Sequence, residues 1–142
     1  MNNDKKITTA LGFDFGMKRI GVALGQTITN SAKALPIIKA QDGIPPWEQI
    51  EHIIKRWDIN VLVVGLPLNL DGSEQEISLA ARKFSRRLQN KFNCKVHLVD
   101  ERYTTKAAKT HPHMKIKKDE PIDSYAAVII LESWLEQQTK EP

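Results

Sequence analysis

The chain has 142 residues, with 21 Lys and Arg against 17 Asp and Glu, a formal charge of +4 and one cysteine. This length favours a single domain over residues 1–142 with one sizeable core, and one cysteine leaves no intramolecular disulfide and no cysteine-built zinc site, so the chain reads as cytoplasmic. The start, Met1 to Lys6, is polar, and no apolar run approaches the roughly 20 residues that span a bilayer, so no membrane partner is expected. The mild positive charge permits a polyanionic partner without requiring one.

Ile7 to Phe13 is mostly apolar and reads as a strand with side chains alternating between two faces. Asp14 closes it and shares a face with Gly12 and Ala10, whose small size leaves room above the sheet for an ion or a phosphate. An Asp before a glycine-framed turn is also an ordinary hairpin residue. Arg19 to Leu24 predicts a second strand and Ala32 to Ala40 a third, where Pro36 implies an edge or a bulge. Three strands with short connections predict an antiparallel meander. Between Pro46 and Trp57 the period changes, and Trp47, Ile50, Ile53, Ile54 and Trp57 predict a core-facing helix with both tryptophans packed inside.

Val61 to Gly65 is a short apolar, largely β-branched run, as in a strand buried on both faces and central in the sheet. A loop from Gly65 to Ser73 follows, and Ser73 with Glu76 has the spacing of a capping box for the next helix. Ile77, Ala81, Phe84, Leu88 and Phe92 form the inner stripe of that helix. Arg82, Lys83, Arg86, Arg87 and Lys91 form its charged outside, either a solvated surface or a nucleic-acid contact. Lys95 to Val99 predicts a fifth strand running into Asp100 and Glu101, at the carboxyl end where open α/β sheets bind ligands. Adjacent strand residues face opposite ways, so one of the two acids points toward Asp14. Residues 106–118 read as a basic loop in which His111 and His113 lack companions at zinc-like spacing. Pro121 to Leu135 predicts an apolar helix packed on the sheet, with Asp123 in its first turn. Ala126 and Ala127 allow that turn to approach closely, although an acid there is also stabilised by the helix dipole alone.

Four blocks then carry a resemblance: Phe13 to Ala23, Gly65 to Ser73, Asp100 to Thr105 and Asp123 to Ala127. In this order they resemble the YqgF (RuvX) family of ribonuclease H-like proteins, described as Holliday junction resolvases and as nucleases that mature the small-subunit ribosomal RNA precursor. The resemblance spans Leu11 to about Leu135. It implies an α/β, ribonuclease H-like fold: a five-stranded mixed sheet, three antiparallel strands then βαβ units, flanked by helices. It also implies Mg²⁺ or Mn²⁺ held by Asp14, Glu101 and Asp123 as catalytic and metal-binding acids, with Asp100 a competitor for the central place.

Phosphodiester hydrolysis gathers negative charge around phosphorus, which divalent ions on hard oxygen ligands offset. Lys18 and Arg19, beside Asp14, either grip a phosphate or are turn-surface charge. Arg102 orients its neighbouring acid or contacts phosphate, while Asn69 and Ser73 either meet a nucleic-acid backbone or cap the next helix. The expected activity is metal-dependent cleavage of structured nucleic acid, most of all ribosomal RNA precursor. The alternatives are a Holliday junction resolvase acting on DNA and a binding protein that cleaves nothing. An actin-like ATPase would need far more residues. A monomer and a homodimer both remain open, the dimer suiting a symmetric junction.

Overall fold

Strands form where the apolar, β-branched runs lie, and their two-residue period decides which side of the sheet each side chain serves. The computed structural model describes residues 8–102 and 122–139. β1 (Thr9–Asp14), β2 (Arg19–Gln26), β3 (Ser31–Lys39), β4 (Val61–Leu66) and β5 (Lys95–Asp100) make one sheet in the order β3-β2-β1-β4-β5. β1, β2 and β3 pair antiparallel as a meander, whereas β4 runs parallel to both β1 and β5. β4 therefore lies inside the sheet, as its unbroken apolar run requires.

The helices α1 (Trp47–Trp57), α2 (Glu76–Lys91) and α3 (Ile122–Thr139) sandwich this sheet. Leu11, Phe13, Ile20, Val22, Leu62 and Val64 point to one side and pack with Ile50 of α1 and Phe84 and Leu88 of α2. The intervening residues Ala10, Ala23 and Val63 pack on the other side with Ala127, Leu131 and Leu135 of α3. α3 rides very close: a Cβ on Gly12 would stand 2.7 Å from Leu131 Cβ. Among the described residues no helix is long and apolar enough to cross a membrane.

Pro36 meets both sequence expectations. β3 is an edge strand, and its register slips between Ile20↔Ile38 and Val22↔Leu35, so Pro36 and Ile37 together oppose Gly21 as a bulge. Cys94 packs partly buried against the core with its thiol 3.5 Å from the Ile59 carbonyl, and burial pushes its pKa up.

Two expectations need correcting. Trp47 does pack with Phe84 and Phe92, but Trp57 is 36% exposed, with Lys33 and Arg56 against its ring. The last turn of α1 lies over edge strand β3, where a groove rather than a further layer meets the indole. The helix expected to be capped by Ser73 is capped by Gln75, which exchanges bonds with Ser78, because Ser73 is engaged within its own turn. The loop expected over residues 106–118, with His111 and His113, lies outside the described residues.

Candidate active site

β1, β4 and β5 are parallel, so their carboxyl ends rise together, with Phe13 beside Val64 and Gly65 beside Val99. Ala10 and Gly12 face α3, and Asp14, two residues beyond Gly12, continues on that face. On β5, His97 meets the Trp134 ring of α3 at 5.4 Å and Val99 is buried beneath the same helix. Glu101 keeps this alternation, with Oε2 2.8 Å from where a Gly65 Cβ would stand. Neighbouring strands are about 4.8 Å apart, so the backbones of Asp14 and Glu101 flank β4 at a separation of roughly 10 Å. Gly65 adds no side chain to the space between them.

The third acid is reached through α3. A Cβ on Gly25, which pairs with Ala10, would meet Leu131 and Leu135, while one on Gly12 would meet Ala127 and Leu131. Each two-residue step up β1 thus matches one turn back along α3, and the next step brings the backbone of Asp123 to the level of Asp14. Buried Ser124 ties this turn down by donating its hydroxyl to the Leu35 carbonyl at 2.9 Å, beside the β3 bulge. The Asp123 side chain lies outside the described residues. Among the described residues no three ligating side chains form a cluster; Asp14 and Glu101 are the two acids of the expected set whose side chains are described.

Adjacent Asp100 and Glu101 occupy opposite environments. Asp100 accepts bonds from the Arg102 guanidinium, at 2.7 Å from Nη2 and 3.1 Å from Nε, and from its backbone N–H at 2.9 Å. Those donors hold the Asp100 carboxyl below the usual carboxylate range. Glu101 is pushed above it, first by burial and then by the Asp100 charge. A buried carboxylate with a raised pKa gains from a nearby cation, and carboxylates are the hard oxygen donors that Mg²⁺ and Mn²⁺ take. The residues present fit such an ion.

Arg102 also donates through Nη1 to the Leu70 carbonyl at 3.2 Å and lies against Gly72, whose φ of +90° would strain any other residue. It fastens the end of β5 to the loop after β4. Within that loop Asn69 Nδ2 donates to Ser73 Oγ, and the Ser73 hydroxyl and N–H both donate to Asp71, which lowers the Asp71 pKa. Asn69 and Ser73 thus bond to each other in a preformed turn that presents Leu70, 96% exposed. Lys18 and Arg19 stand exposed on the turn after Asp14, without an ion pair among the described residues. The sequence reading placed Gly65 at the end of β4 but not its contact with Glu101, although a glycine at the carboxyl end of a buried strand is itself a signal of close approach.

Comparison with known proteins places the chain in a family. A family model described as "RuvX: Holliday junction resolvase" matches residues 8–137. Proteins named "Putative pre-16S rRNA nuclease" are similar over most of their length: one from Coxiella burnetii is 57% identical over 134 residues, covering 93% of this chain and 95% of that protein. One from Haemophilus influenzae is 54% identical over 132 residues, covering 90% and 95%. Among solved structures, Thermus thermophilus RuvC in complex with a Holliday junction substrate superposes with a TM-score of 0.61 at 13% identity, covering 93% of this chain and 96% of that one. The fowlpox virus Holliday junction resolvase gives 0.53 at 17%, covering 92% and 99%. At these identities the structures establish the fold, that of RuvC-like, ribonuclease H-like resolvases. With the family model spanning nearly the whole chain and relatives above half identity, the chain belongs to the RuvX (YqgF) family.

Proposed function

We propose that this chain is a divalent-metal-dependent nuclease that hydrolyses phosphodiester bonds in structured nucleic acid, with ribosomal RNA precursor as its substrate. What supports the reading is the placement of Asp14 and Glu101 at the carboxyl ends of parallel strands on either side of β4, with the Glu101 carboxylate against Gly65. The names of the relatives support the choice of RNA.

Asp14, Glu101 and Asp123 would hold Mg²⁺ or Mn²⁺, which supplies positive charge to the phosphate and lowers the pKa of an attacking water. The chain's own residues do the positioning. Gly65 leaves room for the Glu101 carboxylate beside Ile130, and the Arg102 clamp on Asp100 fixes the end of β5 from which Glu101 projects. Lys18 and Arg19, exposed beside Asp14, meet flanking phosphates. Phosphate contacts make affinity salt-sensitive and nearly independent of sequence.

Purified protein is to be assayed on precursor ribosomal RNA and on a four-way DNA junction, each with and without Mg²⁺ or Mn²⁺. The proposal expects RNA cleavage that requires the ion and is abolished by Asp14→Asn and by Glu101→Gln in folded protein. Undiminished cleavage by either variant refutes the assignment. The family description and the fold of the junction resolvases favour a second reading, cleavage of branched DNA, and preference for the junction would select it.

A further inference from the structure

We infer that the β3 edge carries a track for single-stranded nucleic acid, with the Trp57 indole as a base-stacking platform and Lys33 and Arg56 as phosphate contacts. The inference extends the nuclease reading by naming a substrate feature, an unpaired strand leading to the catalytic end. Trp57 is the wall between two grooves, one of about 220 Å³ beside Thr29 and Lys33 and one of about 520 Å³ between β3 and α1. Its ring is not needed by the core: it is 36% exposed, whereas Trp134 is 6% exposed. Lys33 Nζ and Arg56 Cζ each stand 5.2 Å from the ring centroid, and neither is ion-paired among the described residues. A nucleotide offers the ring a base to stack on and the cations a phosphate, the combination by which single strands are held without sequence preference.

The track has a direction. From Lys33 to Lys39, β3 spans roughly 20 Å at about 3.3 Å per residue. Lys39 pairs with Arg19, which follows the turn after Asp14, so a strand lying along β3 arrives at the catalytic end. One carboxylate, Glu48, borders the larger groove, but it stands nine residues from Trp57, about 13 Å along the helix axis. A second copy of the chain is disfavoured as occupant because Pro36 and its bulge blunt this edge against strand pairing.

The test is binding of a labelled single-stranded oligouridine to the full chain in EDTA, read by anisotropy and by tryptophan quenching. Wild type should bind with quenching, and Trp57→Ala should weaken binding about 5- to 150-fold, the range for one stacked base. Lys33→Gln, a change at an exposed residue, should lower the salt slope of log affinity by about 0.7 and keeps the test valid should Trp57→Ala fold poorly. Unchanged affinity in folded Trp57→Ala together with an unchanged slope in Lys33→Gln overturns the track. So does dimerisation lost in these variants without oligouridine binding. Because no cleavage is measured, a failed track leaves the nuclease reading standing, and a failed nuclease reading still leaves the binding result readable.

Discussion

Replacing Gly65 with alanine separates the cost of packing from the cost to chemistry. The new Cβ would lie 2.5 Å from Ile130 Cδ1 and 2.8 Å from Glu101 Oε2. Ordinary contact begins near 3.4 Å, so the Glu101 carboxylate must withdraw by at least about 0.6 Å, and the Ile130 methyl, the end of a flexible side chain, by somewhat more. Overpacking of this kind costs about 1–3 kcal/mol. Removing a glycine from the unfolded ensemble returns about 0.4–1 kcal/mol, so the net loss of stability is modest. Catalysis is far more sensitive, since a displacement near 1 Å can cost about 10²-fold. Gly25→Ala is the matched control: its Cβ would crowd Ser31 O at 2.9 Å and Leu131 and Leu135 at 3.0 Å, at the opposite end of β1 from the acids. Urea unfolding and kcat on precursor ribosomal RNA should show both variants destabilised, with kcat falling one to two orders of magnitude in Gly65→Ala alone. Equal kcat in Gly65→Ala and wild type, or equal losses in the two variants, would refute the placement of Glu101 chemistry over Gly65.

The two neighbouring acids should titrate in opposite senses. Glu101 has its folded pKa raised above the ordinary 4.5, so its contribution to stability is intact below that pH and is lost as pH rises through the folded value. Metal-free Glu101→Gln should therefore be more stable than wild type at neutral pH, with the gap closing near pH 4 in urea titrations. Asp100 has its folded pKa depressed by Arg102, so its contribution is present above about 3.8 and is lost as pH falls through the folded value. Asp100→Asn should cost about 0.2–1 kcal/mol at pH 7, the range for a solvent-accessible ion pair, and nothing in strong acid. Ser124→Ala should lose about 1–3 kcal/mol by leaving the Leu35 carbonyl without its hydroxyl partner, measured as a shift in urea midpoint at unchanged slope.

The strands, helices and meander were legible because period and chemistry agree along most of the chain; even the double role of Pro36 follows from its missing N–H. The alternation of Ala10 and Gly12 with Leu11 and Phe13 was legible too, but the room expected above Ala10 and Gly12 is filled by α3 and not left for an ion. Which of Asp100 and Glu101 turns toward α3 was not legible. β5 is an edge strand on which only Val99 is fully buried, so its residues carry too little contrast to reveal which parity faces the helix. That choice needs the contact of His97 with Trp134 and of Glu101 with Gly65. Trp57 misled for a related reason: its spacing matches the inner stripe of α1, but spacing cannot tell that the last turn lies over a groove. Ser73 misled because two partners competed for its hydroxyl, and Asp71, two residues away, offered a charged acceptor before the helix began.

The two faces of the sheet differ in the size of the residues they present. Toward α1 and α2 the strands present Leu11, Phe13, Ile20, Val22, Leu62 and Val64, and Phe84 closes that core with its ring centroid 5.5 Å from Phe13 and 5.1 Å from Phe15. Toward α3 the inner strands present Ala10, Gly12, Ala23, Gly25 and Gly65, with Val63 the larger exception, so the helix descends almost onto the backbone at the small residues. That descent brings the first turn of α3 to the level of Asp14. The same smallness at Gly65 admits the Glu101 carboxylate into a desolvated position that opposes its ionisation. Bulk on the first face supplies the burial that lets the second face hold the Glu101 carboxylate where water is scarce. On the proposed reading, a cation held by Glu101 would offset the cost of burying its carboxylate, which would tie metal uptake to the stability of this face.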